Sequence, residues 1–187
     1  MLHSRSTKPK MDKLRELILC ISAKSVTDEK YGKTKLNRIL LAADIHSYKL
    51  RGRSISEAQY KALEYGPGPV GMKQILDEME QNSEIAIQQV SRFGKPQERP
   101  INRRLANLEG FSGEDIALLD EVIDALRHSS SKELSDASHG IAWDTARISG
   151  KTIPLSAFLF KQKQRVSERL KQKGFALAKE RGWEIYD

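Results

Sequence analysis

Apolar residues recur at helical spacing through most of this chain. Leu14, Leu17, Ile18 and Ile21 form one stripe and predict a helix over residues 9–24. A polar turn follows over residues 28–32. Leu36, Ile39, Leu40 and Ala43 then mark the inner face of a second helix, capped by Thr34 and stopped near Gly52. Ser54 and Glu57 have capping-box spacing and predict a short helical turn. Residues 59–65 fit no single period. Gly66-Pro67-Gly68-Pro69 reads as a break in regular structure, with Pro69 placed to open a third helix as far as Glu80.

The period changes at Ile85. Residues 85–93 read as a strand, Gly94-Lys95-Pro96 as a turn, and residues 99–105 as a returning strand. Ser112-Gly113-Glu114-Asp115 is a strong helix start, and Ile116, Leu119, Val122, Ile123 and Leu126 carry the stripe behind it. Ser130 and Glu133 form another capping box, predicting a helix that includes Leu134, Ala137, Ile141 and Trp143. Gly150 and Pro154 bound a connection. A last helix over residues 156–181 would bend near Gly174 and dock through Phe158, Leu159, Val166, Leu170 and Leu177. The pattern implies a mainly α (α+β) fold: a compact helical domain with a small antiparallel β-hairpin. Its expected organisation is a flexible basic arm at 1–10, the helical domain at 11–150 and a basic helical extension packed on it at 151–187.

Composition supports this picture. Aromatic residues make up only 6% of the chain, so Leu, Ile and Ala fill most apolar positions, which favours helices. A formal net charge of +7 favours acidic partners, either an acidic protein face or nucleic acid. The excess gathers at both ends and in residues 95–104. Lys161, Arg165 and Arg169 stand in four-residue steps and would make one positive ridge on the last helix. That ridge suits an acidic protein, the phosphates of a nucleic acid as a second choice, or plain solvent. No apolar run reaches membrane-spanning length, so no membrane partner is expected, and the start does not read as a secretory signal. A cytoplasmic location is the expectation.

The chemistry-bearing residues do not assemble into a reactive motif. Cys20 is the only cysteine; it lies in an apolar helical pattern and reads as a buried structural thiol. His3, His46, His128 and His139 are scattered, and none forms the i,i+4 pair of a zinc-protease helix. The prolines in Gly66–Pro69 remove the backbone donors that would cradle a phosphate. Ser138 beside His139 is not a dyad by adjacency alone. No catalytic residue, metal ligand or cofactor is assigned, and enzyme activity is not expected. His139 and Trp143 are i,i+4 on the predicted helix and should share a face, with Trp143 supplying a large buried surface.

Four segments together resemble the Panacea-domain antitoxins (SocA-like). These are Lys35-Leu36-Asn37-Arg38-Ile39-Leu40-Leu41-Ala42-Ala43-Asp44, Tyr65-Gly66-Pro67-Gly68-Pro69-Val70, residues 112–126, and Leu134-Ser135-Asp136-Ala137-Ser138-His139 with Trp143. The order and spacing cover roughly residues 14–148. Gly68 departs from the family's pattern, which commonly has Val between the two prolines. The resemblance implies a helical module, often with a small antiparallel sheet, that binds and neutralises a cognate toxin protein. Some relatives act as adaptors that hand the toxin to a protease, and others belong to phages or mobile elements. On this reading Tyr65, Pro67 and Pro69 join Lys161, Arg165 and Arg169 as candidate partner-binding residues. Gly66, His139 and Trp143 are the structural positions of the motif.

Overall fold

The computed structural model describes residues 12–92, 95–130 and 140–159. Helix α1 spans Lys13–Lys24 and begins where the Asp12 carboxylate accepts from Arg15 N–H. Residues 1–11, including the predicted start at Pro9, lie outside the described residues. Helix α2, Lys33–Arg51, follows an extended Gly32 that makes no side-chain cap bond, so the expected Thr34 cap is replaced. It ends at a left-handed Gly52, as the sequence predicts. Then come β1 (Tyr60–Leu63), β2 (Gly66–Pro69), α3 (Met72–Gln81), β3 (Ile85–Arg92), β4 (Lys95–Asn102), α4 (Gly113–Leu126), α5 (Ile141–Ser149) and β5 (Thr152–Ile153). A 3-10 turn at Leu155–Phe158 follows. The fold is mainly α with two small antiparallel sheets, ordered β2-β1-β5 and β3-β4.

Helix α2 is the axis of the molecule and packs on α1, α4, β2, β4 and the 3-10 turn. Leu36, Ile39, Leu40 and Ala43 on it join Leu17, Ile18 and Ile21 of α1, Met79 of α3, Ile85 of β3 and Leu119 of α4 in one core. Cys20 belongs to this core, and burial pushes its thiol up, so it is held as the protonated, unreactive form. Helix α4 starts with a full capping box, Ser112 against Asp115 N–H and Asp115 against Ser112 N–H. No helix among the described residues is long and apolar enough to cross a membrane.

The prolines overturn the reading of Gly66–Pro69 as a break. These four residues form β2, paired antiparallel with β1 as Ala62↔Pro67 and Tyr60↔Pro69. Val70 N–H donates to Gln59 O at 2.8 Å, which sets the phase of the ladder. Pro67 and Pro69 therefore fall where a nitrogen faces away from the partner strand, so no ladder bond is lost. Strand β4 uses the same device: Pro96 and Pro100 stand opposite Ser91 and Ile87, and Ile87 N–H goes instead to the Glu80 carboxylate. The third helix consequently starts at Met72, behind a left-handed Gly71, rather than at Pro69. The β3-β4 hairpin is present with its return strand starting at Lys95 instead of Arg99.

Two further expectations change. No helical turn forms at Ser54–Glu57, because the Asp44 carboxylate takes the N–H groups of Ile55 and Ser56. Helix α5, which carries Trp143, begins at Ile141 behind an extended Gly140 rather than running on from Ser130. His139 itself, with residues 131–139, lies outside the described residues, as do residues 160–187.

Two carboxylates tie loops to this core and set an acid limit on stability. Glu16 on α1 is buried, which alone would raise its pKa. Bonds from Arg104 at 2.7 and 2.9 Å and from Asn107 N–H at 2.7 Å outweigh that and hold it below the usual value. Asp115 behaves alike: burial raises it, but Ser112 and the charges of Arg53 and Arg51 leave it lowered. A depressed folded-state pKa stabilises above the unfolded pKa and loses that contribution as pH falls through the folded value. The urea midpoint should therefore fall steeply below about pH 4. Glu16→Gln and Asp115→Asn should each flatten that acid limb. Limbs as steep as the parent's in both variants would refute the assignment.

Candidate partner-binding seam between the central helix and the hairpin

Three charged residues lie inside α2, each nearly or wholly buried: Lys35, Arg38 and Asp44. A helix buried on several sides has no solvent face for them, so each must find a partner in another element. Lys35 and Asp44 are nine residues apart, about half a turn out of phase, and so face opposite sides. Lys35 Nζ reaches Asp28 at 2.6 Å and the carbonyls of Arg127 and Ser129 at 2.8 and 3.0 Å, just beyond the C-terminus of α4. Asp44 accepts from Ile55 N–H, Ser56 N–H, the Ser56 hydroxyl and the Tyr60 hydroxyl, the last at 2.7 Å. Burial pushes the Asp44 carboxyl up, against the pull of those donors.

Arg38 faces β2. Its Nη1 donates to Pro67 O at 2.6 Å. That carbonyl is free because a proline position in this register turns both backbone polar groups away from β1. Burial lowers the guanidinium to about 10, still charged at neutral pH. Among the described residues Arg38 makes no ion pair, and its Nε has no hydrogen-bond partner although it is sealed from solvent. Its neighbour Asn37 likewise has a buried carboxamide oxygen with no partner.

The hairpin is shaped to lie this close. Glu64 and Tyr65 form its two-residue turn, both with negative φ, and Gly66 takes φ +105°. A Cβ at Gly66 would overlap the Arg38 guanidinium, and one at Gly68 would lie 2.5 Å from Leu63 Cδ1 and 3.1 Å from Asn37 Nδ2. Gly68 thus lies in close contact with α2 and Leu63. Trp143 secures the other strand, its indole N–H donating to Leu63 O at 3.1 Å, while Arg147 lies over the ring at 5.2 Å. Gly66→Ala should cost about 1–3 kcal/mol, because both the left-handed backbone and the guanidinium oppose a methyl group. Urea unfolding measures this, and a midpoint equal to the parent's would contradict the close approach.

Of the candidate partner-binding residues, Tyr65 is 61% exposed at the hairpin tip, whereas Pro67 and Pro69 are buried. Only Tyr65 of these three offers its side chain to a partner. Lys161, Arg165 and Arg169 lie outside the described residues. Trp143 is buried at 9% exposure, in keeping with a packing role. Sequence reasoning passed over Asn37 and Arg38 as side chains with roles of their own. The available signal was that Lys35, Arg38 and Asp44 are spread around α2, so a single solvent-facing stripe cannot hold all three. No group of three or more His, Cys, Asp or Glu residues among the described residues could hold a metal ion.

A likeness to known proteins accords with this arrangement. Residues 36–144 match the family described as Antitoxin SocA-like, Panacea domain. The chain belongs to that family. The matched stretch runs from the first turn of α2 through β1, β2, α3, β3, β4 and α4 into the start of α5, and so holds Arg38, Asp44, the β1-β2 hairpin and Trp143. No curated protein and no solved structure matched the chain.

Proposed function

We propose that this protein is an antitoxin that neutralises a cognate protein toxin by direct binding, without a catalytic step of its own. The observation that carries the proposal is the family match over residues 36–144, which includes the seam with its unpaired buried arginine. Binding energy in such an interface comes from a few anchors set in a larger complementary patch, and Arg and Tyr are frequent anchors. Arg38 and Tyr65 at one hairpin fit that description. Neutralisation would proceed by covering the toxin's working surface. Delivery of the toxin to a protease is a variant of the same binding step. The test is co-expression with the product of the adjacent gene. Relief of that product's growth arrest, with a stable complex of the two purified proteins, is the expected result. Persistent arrest with both proteins soluble would count against the proposal.

The charge distribution bears on the second reading, a nucleic-acid-binding regulator. Six of the seven net positive charges fall outside the described residues: three in residues 1–11 and four in residues 160–187, less one in residues 131–139. The described body is nearly neutral, and its cations are widely paired: Lys24 with Asp120, Lys33 with Glu98, Arg104 with Glu16 and Arg127 with Asp124. On this reading phosphate binding would draw on the basic stretch at residues 95–104 as well as on the chain ends. Titration with duplex and single-stranded DNA at two salt concentrations tests it, and a steep salt dependence is its signature.

A further inference from the structure

We propose that the seam between α2 and the β1-β2 hairpin is the seat of one acidic residue of the partner protein, whose side-chain carboxylate pairs with Arg38 while a backbone N–H beside it donates to Asn37. This rests on the protein-binding reading above and names the chemistry of its anchor.

Buried arginines are almost always paired with acids, because an uncompensated charge away from water is costly. Arg38 is 4% exposed and has no acid beside it among the described residues, where its one bond is Nη1 to a neutral carbonyl. The unused side of the guanidinium is the edge formed by Nε and Nη2. Those two donors lie parallel, and that edge takes a carboxylate with two matched N–H···O bonds. Nε is buried without a partner; Nη2 lies beside Gly66, where it bonds to no protein group and is not sealed from solvent. Gly66 has no side chain, and a Cβ there would fall on Nη2, so only the glycine's backbone lies against this edge, and the hairpin turn must shift to admit a carboxylate as far as Nε. The carboxylate of the hairpin turn, Glu64, engages the Tyr65 hydroxyl instead.

The second orphan sharpens the match. Asn37 Oδ1 is buried and lacks a donor, and Asn37 adjoins Arg38 along α2. An aspartate or glutamate in an extended segment offers both complements together, an anionic acceptor and a backbone N–H. A phosphodiester offers only the acceptor. The exposed Tyr65 lies next to Gly66 and can cover the incoming residue. Burial has already lowered the guanidinium to about 10, a cost that an arriving carboxylate would relieve.

The test uses the full chain, uniformly labelled with nitrogen-15, and follows the Arg38 Nε–H resonance. The probes are the blocked aspartate N-acetyl-aspartyl-N′-methylamide, inorganic phosphate and sodium chloride, compared at constant ionic strength. The expected result is a saturable shift with blocked aspartate, none with chloride, and at least about tenfold weaker binding of phosphate. Arg38→Lys keeps the charge but loses the two-donor edge, and should weaken the blocked aspartate about tenfold or more, read in parent and variant alike on the Gly66 backbone amide resonance. Its thermal transition reports whether it folds. If it does not, Asn37→Ala takes its place, read on the same Arg38 resonance and with loss of affinity again expected. No saturable shift in the parent, equal or tighter binding of phosphate, or unaltered affinity in the folded variant would each overturn the proposal. The result is independent of the toxin: a positive titration beside a failed rescue would keep the carboxylate seat and discard the antitoxin reading.

Discussion

Lys35→Met should cost about 3–5 kcal/mol, the range for breaking a buried ion pair by removing one member. The Lys35 side chain is fully buried, and its ammonium has three protons to place. It uses them on Asp28, Arg127 O and Ser129 O. Two of these acceptors are carbonyls just past the last turn of α4, where unpaired carbonyls and the negative end of the helix dipole favour a cation. Methionine matches the stem in length but satisfies none of them. It also leaves Asp28, itself 8% exposed, with Lys30 N–H at 2.8 Å as its remaining donor. Much of the cost is that stranded carboxylate, so adding Asp28→Asn should recover part of it. Urea unfolding of the two single variants and the double variant gives the coupling. Amide exchange at the C-terminal turn of α4 should also accelerate. A loss below about 1 kcal/mol would mean that water enters and replaces the ammonium.

Asp44→Ala is the second large effect, expected at about 4 kcal/mol. Its carboxylate receives four donors from the loop and strand that follow α2, two from backbone N–H groups and two from hydroxyls. Alanine leaves the two N–H groups buried without acceptors, each costing about 1–3 kcal/mol, and frees Tyr60, which is 1% exposed. Asp44→Asn should be much milder. Its oxygen can still accept from Ile55 and Ser56 N–H. Its amide can donate to the Ser56 and Tyr60 hydroxyls, which rotate to accept. The contrast between the two variants separates loss of hydrogen bonding from loss of charge. Equal destabilisation by both would show that the negative charge itself matters. The hairpin should respond as well, since Tyr60 opens β1.

The periodic segments were legible because their residues answer to local rules. The α1 stripe, the Gly52 stop and the Ser112-Asp115 box appear where their residue types place them. Residues 54–57 have capping-box spacing yet form no helical turn. A local capping box competes with a remote acceptor, and Asp44, ten residues upstream of Ser54, takes the N–H groups of Ile55 and Ser56. Gly66–Pro69 reads as a break yet forms a strand, because proline excludes a strand only where its nitrogen must donate. That depends on register, which is set by Tyr60–Leu63 and the turn between the strands, not by the four residues themselves.

The sequence by itself determined a mainly helical chain with a short hairpin, and the ordered segments that resemble the Panacea family. Side-chain period and turn chemistry act over a few residues, so they survive in a one-dimensional record. Tertiary structure decided the roles of Lys35, Arg38 and Asp44. All three stand in a motif that reads as one amphipathic helix, yet each points to a different remote element: the end of α4, the hairpin, and the loop before β1. Whether a buried charge is satisfied depends on which acceptors and donors the fold brings to it. For Lys35 and Asp44 the fold supplies partners, and for Arg38 it supplies one carbonyl and no acid.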